Sequence, residues 1–202
     1  MFIDEVQEAP DIMTMAKFLV EDGRCRWAFS GSMLGTQFKG VRSYPVGYVH
    51  ELRMFPLDFE EFCWATGVSE GARQTIRDAC ISERPIPDYI HDAMMANFRT
   101  YTVVGGMPEV VQRFLDTQGD LASVRQLQSE LNEQYRRDIS KYASGRALQV
   151  QSIYDQLPIM LEGENQRFVL NSIDPKAHYE KYQRDFVWLV DAGVALKADI
   201  VT

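Results

Sequence analysis

The sequence predicts an α/β fragment, followed by a mainly α-helical region and then a winged-helix-like module. Three observations carry this. An apolar run at the start ends in two adjacent carboxylates and is followed by a helical pattern and a second short apolar run. Helical periodicity then dominates from Gly67 onward. The last quarter reads helix, short strand, helix, strand.

The first element is Met1-Phe2-Ile3, which runs into Asp4-Glu5-Val6-Gln7. A short run without polar alternation is how a strand covered on both faces reads, and in open α/β sheets ligands bind beyond the carboxyl ends of such strands. Neighbouring side chains on a strand point to opposite faces, so Asp4 and Glu5 are free to take different tasks. In nucleotide hydrolases with a phosphate-binding loop, one such acid holds Mg²⁺ and another polarises the attacking water. The plain alternative is the polar end of an ordinary strand.

Pro10 suits the first turn of a helix, in which Ile12, Met15, Ala16 and Leu19 recur at helical spacing up to Asp22-Gly23. Cys25 to Phe29 reads as a second strand and leads directly into Ser30-Gly31-Ser32. Strand, acids, helix, strand and hydroxyls make a βαβ unit with both functional ends on one edge of the sheet. Residues 33–41 read as a short helix or loop, and Tyr48 to Met54 as a further strand ending at Phe55-Pro56. Asp58 is placed to cap a helix from Phe59, with Glu61 as its capping-box partner. The aromatic side chains of this block read as a structural corner.

Ala72, Ile76, Ala79 and Cys80 form one helical stripe; Ile90, Ala93, Met94, Phe98 and Tyr101 form the next. Gly105-Gly106-Met107-Pro108 is a helix stop, a turn and a Pro-initiated helix, with a lid-like hairpin as the functional alternative. Asp120 caps a long helix through Tyr142, and Ser144-Gly145 marks a boundary. Leu148, Ile153, Leu157 and Leu161 define a helix that Pro158 kinks or ends. Arg167 to Leu170 and Val194 to Leu196 read as strands around a helix from Ala177 to Ala192, which gives the winged-helix outline. The divisions that follow are 1–62, 63–145 and 146–202.

The motifs Phe2-Ile3-Asp4-Glu5-Val6-Gln7, Phe29-Ser30-Gly31-Ser32, Tyr44-Pro45-Val46-Gly47 and Phe55-Pro56-Leu57-Asp58-Phe59-Glu60-Glu61-Phe62 together resemble the second half of the core of prokaryotic AAA-superfamily ATP-binding proteins. The blocks at Gly105 to Val111 and Tyr135 to Ile139 resemble the domain of unknown function 4143 that follows that core. The resemblance implies a P-loop, AAA-type fold and ATP hydrolysis. It makes Asp4 the Mg²⁺ residue, Glu5 the water-activating acid, and Ser30 or Ser32 the sensor near the γ-phosphate. Relatives often carry Arg or Lys where this sequence has Tyr48. Arg42 and Arg53 are the nearest substitutes, and both read as ordinary solvated side chains.

A phosphate-binding loop requires Gly-x-x-x-x-Gly-Lys-Ser/Thr, and the 202 residues contain no such string. The expectation is therefore a portion of a longer protein whose intact form uses Mg²⁺ and ATP, while this chain alone does not bind ATP tightly. The competing expectation is a non-catalytic interaction module that contacts a protein, or DNA, through its helical and winged-helix parts. The net charge of −8 argues against a broadly basic nucleic-acid surface. Three widely spaced cysteines support neither a disulfide framework nor a zinc site. With no secretory segment and no apolar run of spanning length, the expected location is cytoplasmic, with no membrane partner.

Overall fold

The protein is described here from a computed structural model covering residues 1–31, 47–143, 145–162, 168–170, 173 and 179–198. It divides into two compact units. The first comprises residues 1–53 and 135–202, the second residues 54–134.

In the first unit, β1 (Phe2–Ile3) and β2 (Ala28–Phe29) pair in parallel, Phe2 opposite Ala28 and Ile3 opposite Phe29. The pairing continues past both strands, since Ser30 N–H donates to Ile3 O at 3.0 Å and Val6 N–H donates to Ser30 O at 3.0 Å. Between the strands runs α1 (Pro10–Glu21), with Pro10 in its first turn, where the missing N–H costs nothing. Gly23 closes it in a left-handed conformation, φ 66°. Met13 and Ala16 are the buried residues of α1, and Met15 is exposed. The expected stripe is therefore turned: at about 100° per residue, Met15 lies nearly opposite Met13.

Tyr48 to Met54 does not form the expected strand. The sheet among the described residues has two strands, and Leu52, Met54 and Phe55 are exposed. A β-leaning sequence becomes a strand only where an edge receives its backbone. The expected helix or loop at residues 33–41 lies outside the described residues.

The second unit is helical: α2 (Phe59–Ala65), α3 (Glu70–Ile81), α4 (Asp88–Val104) and α5 (Pro108–Asp116), with the first part of α6 (Leu121–Tyr142). Asp58 caps α2 as expected, Glu61 N–H donating to Asp58 Oδ1 at 2.8 Å and Asp58 N–H donating to Glu61 Oε2 at 2.9 Å. Phe62, Val104, Val110, Val111, Val124 and Leu127 form the core. Phe59 and Phe62 sit against Tyr101 with ring centroids 5.7 and 5.3 Å apart, so the aromatic block is a packed corner.

The remainder of α6 returns to the first unit with α7 (Ala147–Glu162) and α8 (Tyr179–Asp191). Their core is Ile139, Ala143, Val150, Ile153, Tyr182 and Leu189. Helix α7 runs through Pro158 to Glu162, so of the expected kink or early stop the stop does not occur. Its inward face holds Val150 and Ile153, while Leu148 and Leu161 are exposed.

The winged-helix outline is not shown by the described residues, and Arg167 lies outside them. Neither 168–170 nor 194–198 forms a strand among the described residues. Instead, Val194 and Ala195 donate their N–H groups to Leu189 O at 3.0 and 3.1 Å, which caps the end of α8. Those donors are spent on the helix terminus and cannot enter a ladder. Phe168, Leu170, Val194 and Ala195 pack onto the helical core instead.

Candidate functional site

The site is built by the short parallel pair. Residues following parallel strands emerge at one edge, so the chain after Ile3 and the chain after Phe29 meet there. The Ser30 hydroxyl donates to Asp4 Oδ1, and Glu5 N–H donates to the same oxygen at 3.0 Å. Two donors on one carboxylate oxygen fix where the group points.

Glu5 takes a different course. Its backbone is left-handed, φ 50° and ψ 46°, and it turns the chain out of β1 into a 3-10 turn at Val6–Glu8. Left-handed backbone is uncommon outside glycine and is worth a functional question when found beside other candidate groups. The turn is anchored by buried Val6, and the Glu5 side chain accepts a hydrogen bond from the Gln7 amide Nε2. Asp4 and Glu5 are both exposed.

Of the expected site residues, Asp4, Glu5 and Ser30 come together, and Ser32 lies outside the described residues. Tyr48, where relatives carry a cation, donates its hydroxyl to Glu21 Oε1 at 3.0 Å, with Lys17 Nζ 5.6 Å from its ring centroid. Arg42 also lies outside the described residues, and Arg53 is exposed.

Sequence reasoning missed Gln7 as a partner of Glu5, although its position two residues on was the available signal. It also missed Asp185 as the buried partner of Arg146. Asp185 is 1% exposed and takes both ends of the Arg146 guanidinium, at 2.6 and 2.5 Å. No periodicity argument separates an inward aspartate from an outward one until its partner is known.

The donor set bears on Mg²⁺. Asp4 and Ser30 offer hard oxygen atoms, which suits that ion. Among the described residues no group of three or more His, Cys, Asp or Glu could hold a metal unaided. One carboxylate beside a hydroxyl fits an ion that shares its coordination with phosphates and water, rather than one held in a protein cage.

Residues 95–201 match the profile of the domain of unknown function 8612. The chain belongs to that family. Residues 1–63 match an AAA domain, which supports an AAA-superfamily relationship for the piece that carries β1, β2 and the acids. The match over residues 95–201 corrects one expectation, because the domain of unknown function 8612 is not the domain 4143 that the Gly105 and Tyr135 blocks resembled. It takes in α5, α6, α7 and α8. No curated protein and no solved structure matched the chain. No helix among the described residues is long and apolar enough to cross a membrane.

Proposed function

We propose that this member of the domain of unknown function 8612 family carries the acid half of an AAA-type ATPase site, and that the intact protein hydrolyses ATP with Mg²⁺. The observation that carries the reading is the Ser30 hydroxyl bonded to Asp4 at the shared carboxyl edge of β1 and β2. It is supported by the AAA domain match over the same residues.

In this reading Asp4 holds the metal, which when bound neutralises charge on the nucleotide's phosphates. Glu5 accepts a proton from the water whose oxygen attacks the γ-phosphorus, while the bond from that phosphorus to the leaving ADP oxygen breaks. Ser30 fixes Asp4, and either Ser30 or Ser32 stands as the sensor of the γ-phosphate. This reading requires a phosphate-cradling Gly-Lys-Ser/Thr string, which the 202 residues do not contain, to be supplied elsewhere in the intact protein.

The test is Mg²⁺-dependent ATP hydrolysis by the intact protein, parent against Glu5→Gln. Retained Mg-ATP binding with hydrolysis reduced at least a hundredfold supports the reading. Hydrolysis at the parental rate in Glu5→Gln overturns the catalytic assignment and leaves the interaction-module reading as the better one.

A further inference from the structure

We propose that Gln7 is a positioning residue that holds the Glu5 carboxylate in its working orientation. The inference rests on the reading of Glu5 as the water-activating acid.

An exposed glutamate on a turn has three rotatable side-chain bonds and no reason to keep one orientation. A general base must sit within hydrogen-bond reach of the proton it takes, so something has to restrain it. Asp4 is restrained by Ser30 and by the Glu5 backbone. Glu5 has Gln7, whose Nε2 donates to Glu5 Oε2.

Two features make this contact more than a surface accident. Gln7 is half-buried, and its Oε1 is a buried oxygen without a hydrogen-bond partner. An amide with one end unpartnered owes its orientation to the other end, and here that end is on Glu5. Rotating the amide by half a turn would set its oxygen against the Glu5 carboxylate, so the pair selects one arrangement. The backbone adds to this. Glu5 is left-handed and Val6 N–H is bonded to Ser30 O, so the turn that brings Gln7 back toward Glu5 is tied to β2 and to the hydroxyl that holds Asp4. Both acids are therefore oriented from the same strand end, Asp4 by a side chain across the sheet and Glu5 by a side chain along the turn.

The experiment uses the intact protein with Gln7→Glu, which keeps the shape but replaces the donor with a second carboxylate facing Glu5, and Gln7→Met, which keeps the length and loses both polar ends. Glu5→Gln is measured alongside. The expected result is a kcat about tenfold lower in both Gln7 variants, with KM for ATP and the melting temperature at parental values. A second reading needs no turnover: the Gln7 side-chain amide signals in an NMR spectrum should move in Glu5→Ala and stay in place in Glu8→Ala. Parental kcat in both Gln7 variants, with Glu5→Gln inactive, overturns the role of Gln7 and leaves Glu5 as the base. Parental hydrolysis by Glu5→Gln overturns the catalytic reading itself, and this proposal with it. Amide signals unmoved by Glu5→Ala overturn the pairing whatever the kinetics.

Discussion

Leu57 and Gly106 touch through their backbones: Leu57 N–H donates to Gly106 O at 2.7 Å, and a Cβ built on Gly106 would lie 2.1 Å from Leu57 O. Tyr101 Oη donates to the same Leu57 oxygen at 2.8 Å. The Pro-Leu-Asp-Phe block and the Gly-Gly-Met-Pro block, read separately in the sequence, are two sides of one clamp. Gly106 is needed for the close approach, whereas Gly105 serves the turn with φ 78°.

Gly106→Ala should therefore destabilise the protein by about 3 kcal/mol, the upper part of the range for overpacking, because the obstructing atoms are backbone and cannot swing away. Gly71→Ala is the control. Gly71 lies in α3 with open space where the methyl would go, and the change should be neutral or gain about 0.5 kcal/mol. Urea unfolding of the three proteins compares them. Equal midpoints for parent and Gly106→Ala would remove the clamp from the account.

Local chemistry was the legible part of this fold. Pro10 at the start of α1, the Asp58–Glu61 box and the Gly105 turn each follow from a few neighbouring residues, and all appear where expected. What depends on a distant partner was not legible. Tyr48 to Met54 has strand composition without a paired edge, and Val194 and Ala195 give their N–H groups to Leu189 rather than to a strand. The site divides in the same way. Asp4, Glu5 and Ser30 could be named from their strand ends, but the Ser30–Asp4 and Gln7–Glu5 bonds depend on turn geometry that one sequence does not specify.

The Arg146–Asp185 pair predicts an asymmetry between its two deletions. The Asp185 side chain is almost fully buried, whereas that of Arg146 is about one-third exposed and also donates to Lys181 O at 2.9 Å. Arg146→Met leaves a buried carboxylate unpaired, at a cost of about 3 kcal/mol. Asp185→Leu leaves a guanidinium that can turn to water, so the loss should be smaller. Thermal melting of both variants decides it, and equal losses would contradict the buried-charge explanation.

The three thiols should separate by access. Cys25 and Cys80 are exposed and Cys63 is buried in the α2 corner, where burial pushes its thiol above the ordinary value near 9. Arg73 opposes that push and Glu60 adds to it. A thiol reagent should modify two groups rapidly in the native protein and the third only on unfolding. The linkage has a definite sign. Because the folded state disfavours the Cys63 thiolate, its contribution is intact below the ordinary thiol value and is lost as pH rises through the higher folded one. Cys63→Ala should flatten the alkaline fall of stability above about pH 9. An unchanged alkaline slope would show that another group causes it.

Asp4 and Ser30 should divide their work in the intact protein. Asp4→Asn keeps the shape and removes the charge, so Mg²⁺-dependent nucleotide binding should weaken together with turnover. Ser30→Ala leaves the carboxylate in place and removes one of the two donors on Asp4 Oδ1, the Glu5 N–H remaining at 3.0 Å. The carboxylate then stays in place and loses part of its orientation. Turnover should fall about tenfold, the equivalent of one charge-assisted hydrogen bond, while nucleotide affinity changes little. Ser32→Ala run in parallel identifies which hydroxyl serves the γ-phosphate. If Ser32→Ala slows hydrolysis and Ser30→Ala does not, the Ser30–Asp4 bond is a structural tie of the two strands and the sensor assignment passes to Ser32.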